Sequence, residues 1–334
     1  MKRKGNLYPL IADPANLRLA FWKAAKGKRD RLEVITFQAD LDSQIAKLRK
    51  DLLNKQVTVG NYRFFHVQDP KKRLICAASF RERVLHHAMM NICEPHLDAC
   101  AINDSYACRH GKGARKAIVR AQELTRKCRW YLKIDIRKYF DSIDHEILLC
   151  LLERRFKDRD LLDLFESILS TYHTIPGCGL PIGNLVSQHL ANFYLGRFDH
   201  WAKEETCHRQ YIRYMDDMLF GSVEKEHLQE SLSAGREVLR ERLRLCIKDN
   251  IQLNRCDRGV PFLGYRITPS RILLTPASKQ RFIRKFKNYE VMRQSGDWPD
   301  GFVARRVEAL VDFTRVAAAK GFRAAVLARN EVLS

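Results

Sequence analysis

Residues 211–220, Tyr211-Ile212-Arg213-Tyr214-Met215-Asp216-Asp217-Met218-Leu219-Phe220, set two adjacent carboxylates between two short runs of apolar and aromatic residues. Such runs form half-buried strands, and a polar pair between them marks a hairpin tip. A second segment, Trp130-Tyr131-Leu132-Lys133-Ile134-Asp135-Ile136, alternates strictly. Leu132, Ile134 and Ile136 face one way, Lys133 and Asp135 the other. A hairpin and a strand of this kind point to an antiparallel sheet with one apolar face and one face carrying acids.

Like charges side by side repel, and partial burial raises the cost. A divalent cation offsets both, although an Asp-Asp pair in a solvated turn needs no ligand. The third carboxylate, Asp135, favours the metal. Three carboxylates on neighbouring strands can hold two Mg²⁺ ions, one activating a 3′-hydroxyl and one neutralising pyrophosphate. Mn²⁺ is a possible substitute.

The rest of the chain alternates irregularly between helix and strand. Helical periodicity covers 16–53, 80–92, 114–126, 145–156, 185–203 and 226–241. Strand patterns cover 62–67 and 73–77, joined by a turn at Asp69-Pro70, and also 243–247 and 261–267. From Ala277 the chain is basic and helical, with a break at 296–301. Without a β-α-β rhythm, this is an α+β class rather than a doubly wound sheet.

Composition narrows the partner. The 334 residues are 46% hydrophobic, enough for a sizeable core. Lys and Arg number 60 against 39 Asp and Glu, a formal charge of +21. That surplus predicts a polyanionic partner, nucleic acid first. No apolar run is long enough to span a membrane, and Met1-Lys2-Arg3-Lys4 leads into no apolar signal core, so no membrane partner and a cytoplasmic location are expected. None of the ten cysteines forms a C-x-x-C pair, and all read as reduced, buried thiols; Cys93, Cys100 and Cys108 with His96 are the nearest approach to a metal cluster.

Tyr214-Met215-Asp216-Asp217 resembles the catalytic motif of reverse transcriptases, and further motifs follow in the family's order over about 70–267. Lys71-Lys72-Arg73-Leu74-Ile75 and Phe80-Arg81-Glu82-Arg83-Val84 resemble the fingers motifs, and Ser105-Tyr106-Ala107-Cys108-Arg109 the segment before the palm. The 133–140 segment, ending Tyr139-Phe140, resembles the first palm motif. Leu180-Pro181-Ile182-Gly183 through Ser187-Gln188 resembles the template-facing motif, and Phe262-Leu263-Gly264-Tyr265 the primer grip.

The resemblance implies a right-hand polymerase with N-terminal helices and fingers in 1–128, a palm in 129–269 and a basic helical thumb in 270–334. Asp135, Asp216 and Asp217 would be catalytic and, with Ile136, would bind metal. Lys71, Arg73, Phe140, Ile182 and Gly183 would line the dNTP site, with Phe140 blocking a 2′-hydroxyl. Arg109, Ser187 and Gln188 would contact the template RNA; for Arg109, capping a loop stays open as the alternative. Lys248 is a further candidate, as a proton donor to pyrophosphate.

Two departures are informative. Most family members carry glutamine before the motif's glycine and proline after its serine; here Ile182 and Gln188 stand there. Both resemble the reverse transcriptases of diversity-generating retroelements, which are bacterial or phage-encoded. That implies adenine-mutagenised cDNA copied from a template-repeat RNA, a primer, and a small basic helical accessory protein, oligomeric in form. A group II intron-like or retron-type enzyme without a mutagenic role is the alternative within the class. A non-catalytic RNA-binding scaffold is the alternative from another class, but it needs neither three aspartates nor Phe140. A DNA-binding regulator needs a recognition helix, and no strong helix-turn-helix pattern is present.

Overall fold

The computed structural model describes residues 2–68 and 72–331. Four helices open the chain: α1 (Tyr8–Ile11), α2 (Pro14–Ala25), α3 (Leu32–Ala39) and α4 (Leu41–Leu53). The hairpin of β1 (Tyr62–Gln68) and β2 (Lys72–Ala78) follows, then α5 (Phe80–Asp98) and α6 (Ala114–Lys127). The Asp69-Pro70 turn and Lys71 lie outside the described residues. Next come β3 (Trp130–Asp135), α7 (His145–Arg155), α8 (Arg159–Ser170), α9 (Leu185–Tyr194) and α10 (Gly196–His200). The hairpin β4 (Tyr211–Tyr214) and β5 (Asp217–Ser222) is followed by α11 (Lys225–Leu243) and β6 (Gln252–Arg255). A small sheet, β7 (Val260–Phe262), β8 (Tyr265–Ile267) and β9 (Ile272–Leu274), leads into α12 (Pro276–Gln294), α13 (Asp300–Thr314) and α14 (Lys320–Glu331).

The central sheet runs β4-β5-β3-β6, and its pairings are antiparallel. Its two faces follow from the alternation in β3. Leu132, Ile134 and Ile136 enter the main core with the N-terminal helices, α5 and α7 to α11. Burial of side chains this size stabilises by about 1.5–3 kcal/mol each. Tyr131, Ile212 and Leu219 pack on the other face against Ala117, Ile118, Ala121 and Leu124 of α6. Lys133 and Asp135 share the Tyr131 face and remain partly exposed. Local caps sharpen the helix starts around this frame. The Asp144 carboxylate accepts from the Ile147 N–H at 3.0 Å, and Asp158 accepts from Leu161, Leu7 and Tyr8.

Several expectations are corrected. The stretch 243–247 is not a strand: α11 runs through Leu243 and Arg244 ends it at φ +51°, leaving only an isolated bridge from Ile247 to Ile136. The true neighbour of β3 on that edge is β6. The stretch 261–267 folds back on itself, because Leu263 (φ +49°) and Gly264 (φ +87°) form a two-residue turn between β7 and β8. The helix expected over 185–203 breaks after Tyr194 and ends in a π-helical turn at Trp201–Glu205. All ten cysteines are free, but only Cys76, Cys93, Cys128 and Cys256 are buried; Cys100, Cys108 and Cys178 are partly exposed and Cys150, Cys207 and Cys246 exposed. Among the described residues no group of His, Cys, Asp and Glu forms a ready-made metal cluster, and no helix is long and apolar enough to cross a membrane.

Candidate active site

The register of the central sheet brings the carboxylates together. Asp135 lies directly opposite Asp217 across the β3–β5 ladder, and Tyr214 pairs with Asp217 across β4–β5. Met215 and Asp216 are therefore the two residues of the turn. Met215 adopts φ +54°, a left-handed conformation that favours glycine and costs a side-chain-bearing residue about 1–2 kcal/mol.

Burial is the main cause of an unusual electrostatic state. It pushes both Asp216 and Asp217 up to about 6, with the Asp135 charge adding to the effect in each case. Lys133 opposes it at Asp217, its Nζ 3.2 Å from Oδ2. Lys248 donates from Nζ to Asp135 Oδ2 at 2.6 Å, and its backbone N–H bonds the Asp135 carbonyl at 2.8 Å. One lysine thus sits on each of two acids. The remaining oxygens, Asp135 Oδ1 and Asp217 Oδ1, are buried with no hydrogen-bond partner. Buried carboxylate oxygens without donors leave a desolvation cost that a hard cation offsets. The chemistry of these all-oxygen donors suits a hard cation such as Mg²⁺, and Asp135, Asp216 and Asp217 are the residues that would hold it, although with Lys133 and Lys248 on two of them they do not stand as a ready-made cluster. Ile136 is fully buried among apolar side chains, so only its main-chain carbonyl is chemically suited to a metal.

The candidate nucleotide residues form one connected strip. Phe140 sits half-buried in a 3₁₀ turn directly after β3, edge-on to Tyr139 at 5.8 Å. Its carbonyl accepts from the Leu180 N–H at 2.8 Å, and the Ile182 carbonyl accepts from the Cys76 N–H of β2 at 2.8 Å. Gly183 has φ +118°, and a Cβ there would lie 2.9 Å from Ile75 Cγ2 and 3.1 Å from the Cys76 carbonyl oxygen. This glycine is therefore required by its contact with β2. Arg73 is exposed on β2, while Lys71 falls outside the described residues.

Other sequence candidates are placed differently. Arg109 is spent inside the protein: it pairs with Asp98 and donates to the carbonyls of Ile102 (2.5 Å) and Ser105 (2.9 Å), which is the loop-capping role. Ser187 is buried at 2% exposure, so its hydroxyl faces the core, whereas Gln188 is exposed. In the Phe262–Tyr265 turn, the Gly264 carbonyl accepts from Thr275 Oγ1 (3.1 Å) and Ser278 Oγ (2.7 Å), and the Tyr265 hydroxyl bonds the Phe313 carbonyl. The turn is thereby fastened to α12 and α13, beside Arg281 and Arg284.

Sequence reasoning missed Arg213, Asp199 and Asn192, a buried network behind the Asp216 turn. Its signal was visible: Arg213 stands on β4 two residues from Tyr211, an inward position, and a charge there demands a partner.

The arrangement of palm-like sheet, paired acids and connected strip agrees with a family match. The chain matches the family described as reverse transcriptase (RNA-dependent DNA polymerase) over residues 67–267, well over half its length. The chain belongs to the reverse transcriptase family. It is 23% identical to Protein YkfC of Escherichia coli (strain K12), covering 78% of this chain and 81% of YkfC. It is 26% identical over 212 residues to the putative COX1/OXI3 intron 2 protein of Saccharomyces cerevisiae, covering 59% of this chain and 24% of that protein. It is 26% identical to the group II intron-encoded protein LtrA of Lactococcus lactis over 39% of this chain and 22% of LtrA. The chain thus spans only about a quarter of the yeast intron protein. Apo telomerase from Candida tropicalis superposes with a TM-score of 0.50 at 10% identity, covering 71% of this chain and 53% of that one. That likeness speaks to fold alone, a mixed helix-and-antiparallel-sheet polymerase architecture.

Proposed function

We propose that this chain is an RNA-directed DNA polymerase, extending a primer on an RNA template by nucleotidyl transfer from dNTPs. The observation that carries this reading is the opposition of Asp135 and Asp217 across one ladder, with Asp216 in the adjoining turn and buried carboxylate oxygens lacking donors. Bound divalent metal would activate the primer 3′-hydroxyl and neutralise the leaving pyrophosphate. The chain's own residues do the rest. Lys133 and Lys248 hold two of the acids in place and balance their charge. Phe140, in the 3₁₀ turn that follows β3, would exclude a 2′-hydroxyl. The turn at Leu263-Gly264 positions the primer strand, and the basic α12 follows its phosphates. Residues 1–128, 129–269 and 270–334 serve as fingers, palm and thumb.

For the finer role we propose a diversity-generating retroelement, making cDNA mutagenised opposite template adenine. Ile182 supports it. Its backbone is tied to Cys76 while its side chain supplies no hydrogen bond where the family's glutamine would, so mispairs meet weaker discrimination. A template-repeat RNA and a basic accessory protein are the expected partners. The intron-encoded relatives favour a second reading, an intron-like enzyme without mutagenic role.

Primer extension on an RNA template containing all four bases, with Mg²⁺ and sequenced products, tests both. Synthesis that disappears in the Asp216→Asn/Asp217→Asn variant supports the polymerase. Errors concentrated opposite adenine, and reduced in Ile182→Gln, support the retroelement. Accurate synthesis selects the intron-like reading. RNA binding without synthesis under any condition returns the scaffold.

A further inference from the structure

The catalytic turn rests on a buried ion pair that takes no part in the chemistry. Arg213 and Asp199 are both fully buried, joined by a two-pronged contact: Nε to Oδ1 at 2.7 Å and Nη2 to Oδ2 at 2.6 Å. The Tyr211 hydroxyl donates to the same Asp199 Oδ1 at 2.7 Å. Asn192 completes the cage, its side-chain oxygen accepting from Arg213 Nη1 at 2.8 Å and its carbonyl from Nη2 at 3.0 Å. The Asn192 amide in turn donates to the Ala107 carbonyl at 3.0 Å. Backbone bonds from Arg213 N–H to Asp104 and from Tyr106 N–H to Arg213 lock the strand from the other edge.

One arm of the guanidinium does something packing alone does not require. Nη1 donates to the Met215 carbonyl at 3.0 Å. Met215 is the left-handed residue immediately before Asp216, and its carbonyl belongs to the peptide joining the two. A left-handed methionine is held only where its surroundings over-determine it. A planar guanidinium with several donors in a rigid fork can clamp Asp199 and Met215 at once, which a lysine ammonium cannot do with the same geometry.

We propose that Arg213, oriented by Asp199 and Asn192, is a positioning residue: it pins the Met215–Asp216 peptide and thereby sets the carboxylates of Asp216 and Asp217 for metal. The inference rests on the polymerase reading for its purpose, but not for its test. Removing both charges together with Arg213→Met/Asp199→Leu leaves no unpaired buried ion, so the core is expected to stay folded. Mg²⁺ alone is titrated into the chain without nucleic acid, following the metal-dependent rise in melting temperature.

The half-saturating Mg²⁺ concentration is expected to rise by about 10- to 100-fold, the usual effect of removing a residue that orients ligands. In primer extension kcat falls similarly while KM for dNTP changes little. Adding Met215→Gly, which accepts the left-handed turn without a clamp, restores part of the metal affinity. A folded double variant with unchanged half-saturation and kcat overturns the proposal, as does a loss that Met215→Gly leaves untouched. If the double variant does not fold, Arg213→Lys is read by the same titration. Loss of folding in both assigns Arg213 to core packing and rejects the clamp. A native chain that binds Mg²⁺ but synthesises nothing refutes the polymerase reading and leaves the clamp standing.

Discussion

Replacing Asp217 with asparagine is expected to stabilise the metal-free protein. In the folded chain burial, above all, pushes the Asp217 carboxyl from its ordinary 3.8 up to about 6. Its side chain is 21% exposed, so solvent screening removes little of the effect. Between those two pH values the folded state binds a proton that the unfolded state has released. Stability therefore falls as pH rises from about 3.8 to 6, and the loss is complete above that range. At about 1.4 kcal/mol per pH unit, the penalty at pH 8 comes to about 3 kcal/mol. Asp217→Asn removes the charge, keeps the shape, and can still accept from Lys133. The assay is thermal unfolding in EDTA at pH 8 and pH 4. The variant is expected to melt several degrees above the parent at pH 8 and close to it at pH 4. Saturating Mg²⁺ at pH 8 should reverse the order, because only the parent retains the full set of acids. A variant no more stable than the parent at pH 8, or equally stabilised at both pH values, refutes the reasoning.

Three other outcomes follow from the same geometry. Gly183→Ala puts a methyl 2.9 Å from Ile75 Cγ2 at a backbone φ of +118°, and should cost about 1–3 kcal/mol in urea unfolding. Phe140→Ala should admit ribonucleotides, raising the ratio of rNTP to dNTP kcat/KM by roughly 10-fold or more, whereas its synthesis from dNTPs persists. Arg281→Ala/Arg284→Ala should lower the slope of log affinity against log salt by roughly 1–2 in binding to an RNA–DNA duplex, since each lost phosphate contact removes just under one unit.

The strands that carry the three carboxylates were legible because strand periodicity and charge mark them. In β3 the apolar residues at alternate positions specify which face is buried, and Asp135 then has to lie on the open one. The Asp216-Asp217 pair announces itself as two acids between apolar runs, although the turn itself is Met215-Asp216 and Asp217 already belongs to β5. What escaped was whatever depends on contacts distant in sequence. Arg213 announces a charge at an inward strand position, but its partners Asp199 and Asn192 come from helices that only the fold brings beneath it. Residues 243–247 have strand composition, yet α11 continues into them and Arg244 closes the helix with its backbone alone. Gln252–Arg255 alternates too weakly to be recognised, and becomes a strand only because β3 offers an open edge. Arg109 carries a charge suited to phosphate, but Asp98 and two carbonyls claim it first.

The bond between Cys76 and Ile182, with Ile75 resting on Gly183, makes two distant sequence motifs a single inherited unit. A bulkier residue at position 75 presses on Gly183, which has no side chain to yield and at φ +118° cannot readily gain one, so the size of residue 75 is limited by the backbone of the other motif. If Ile182 faces the nascent base pair as proposed, substitutions in the β1–β2 hairpin that touch no base pair are expected to alter copying accuracy. Error-altering variants selected from random libraries should accordingly include positions 75 and 76 alongside Ile182.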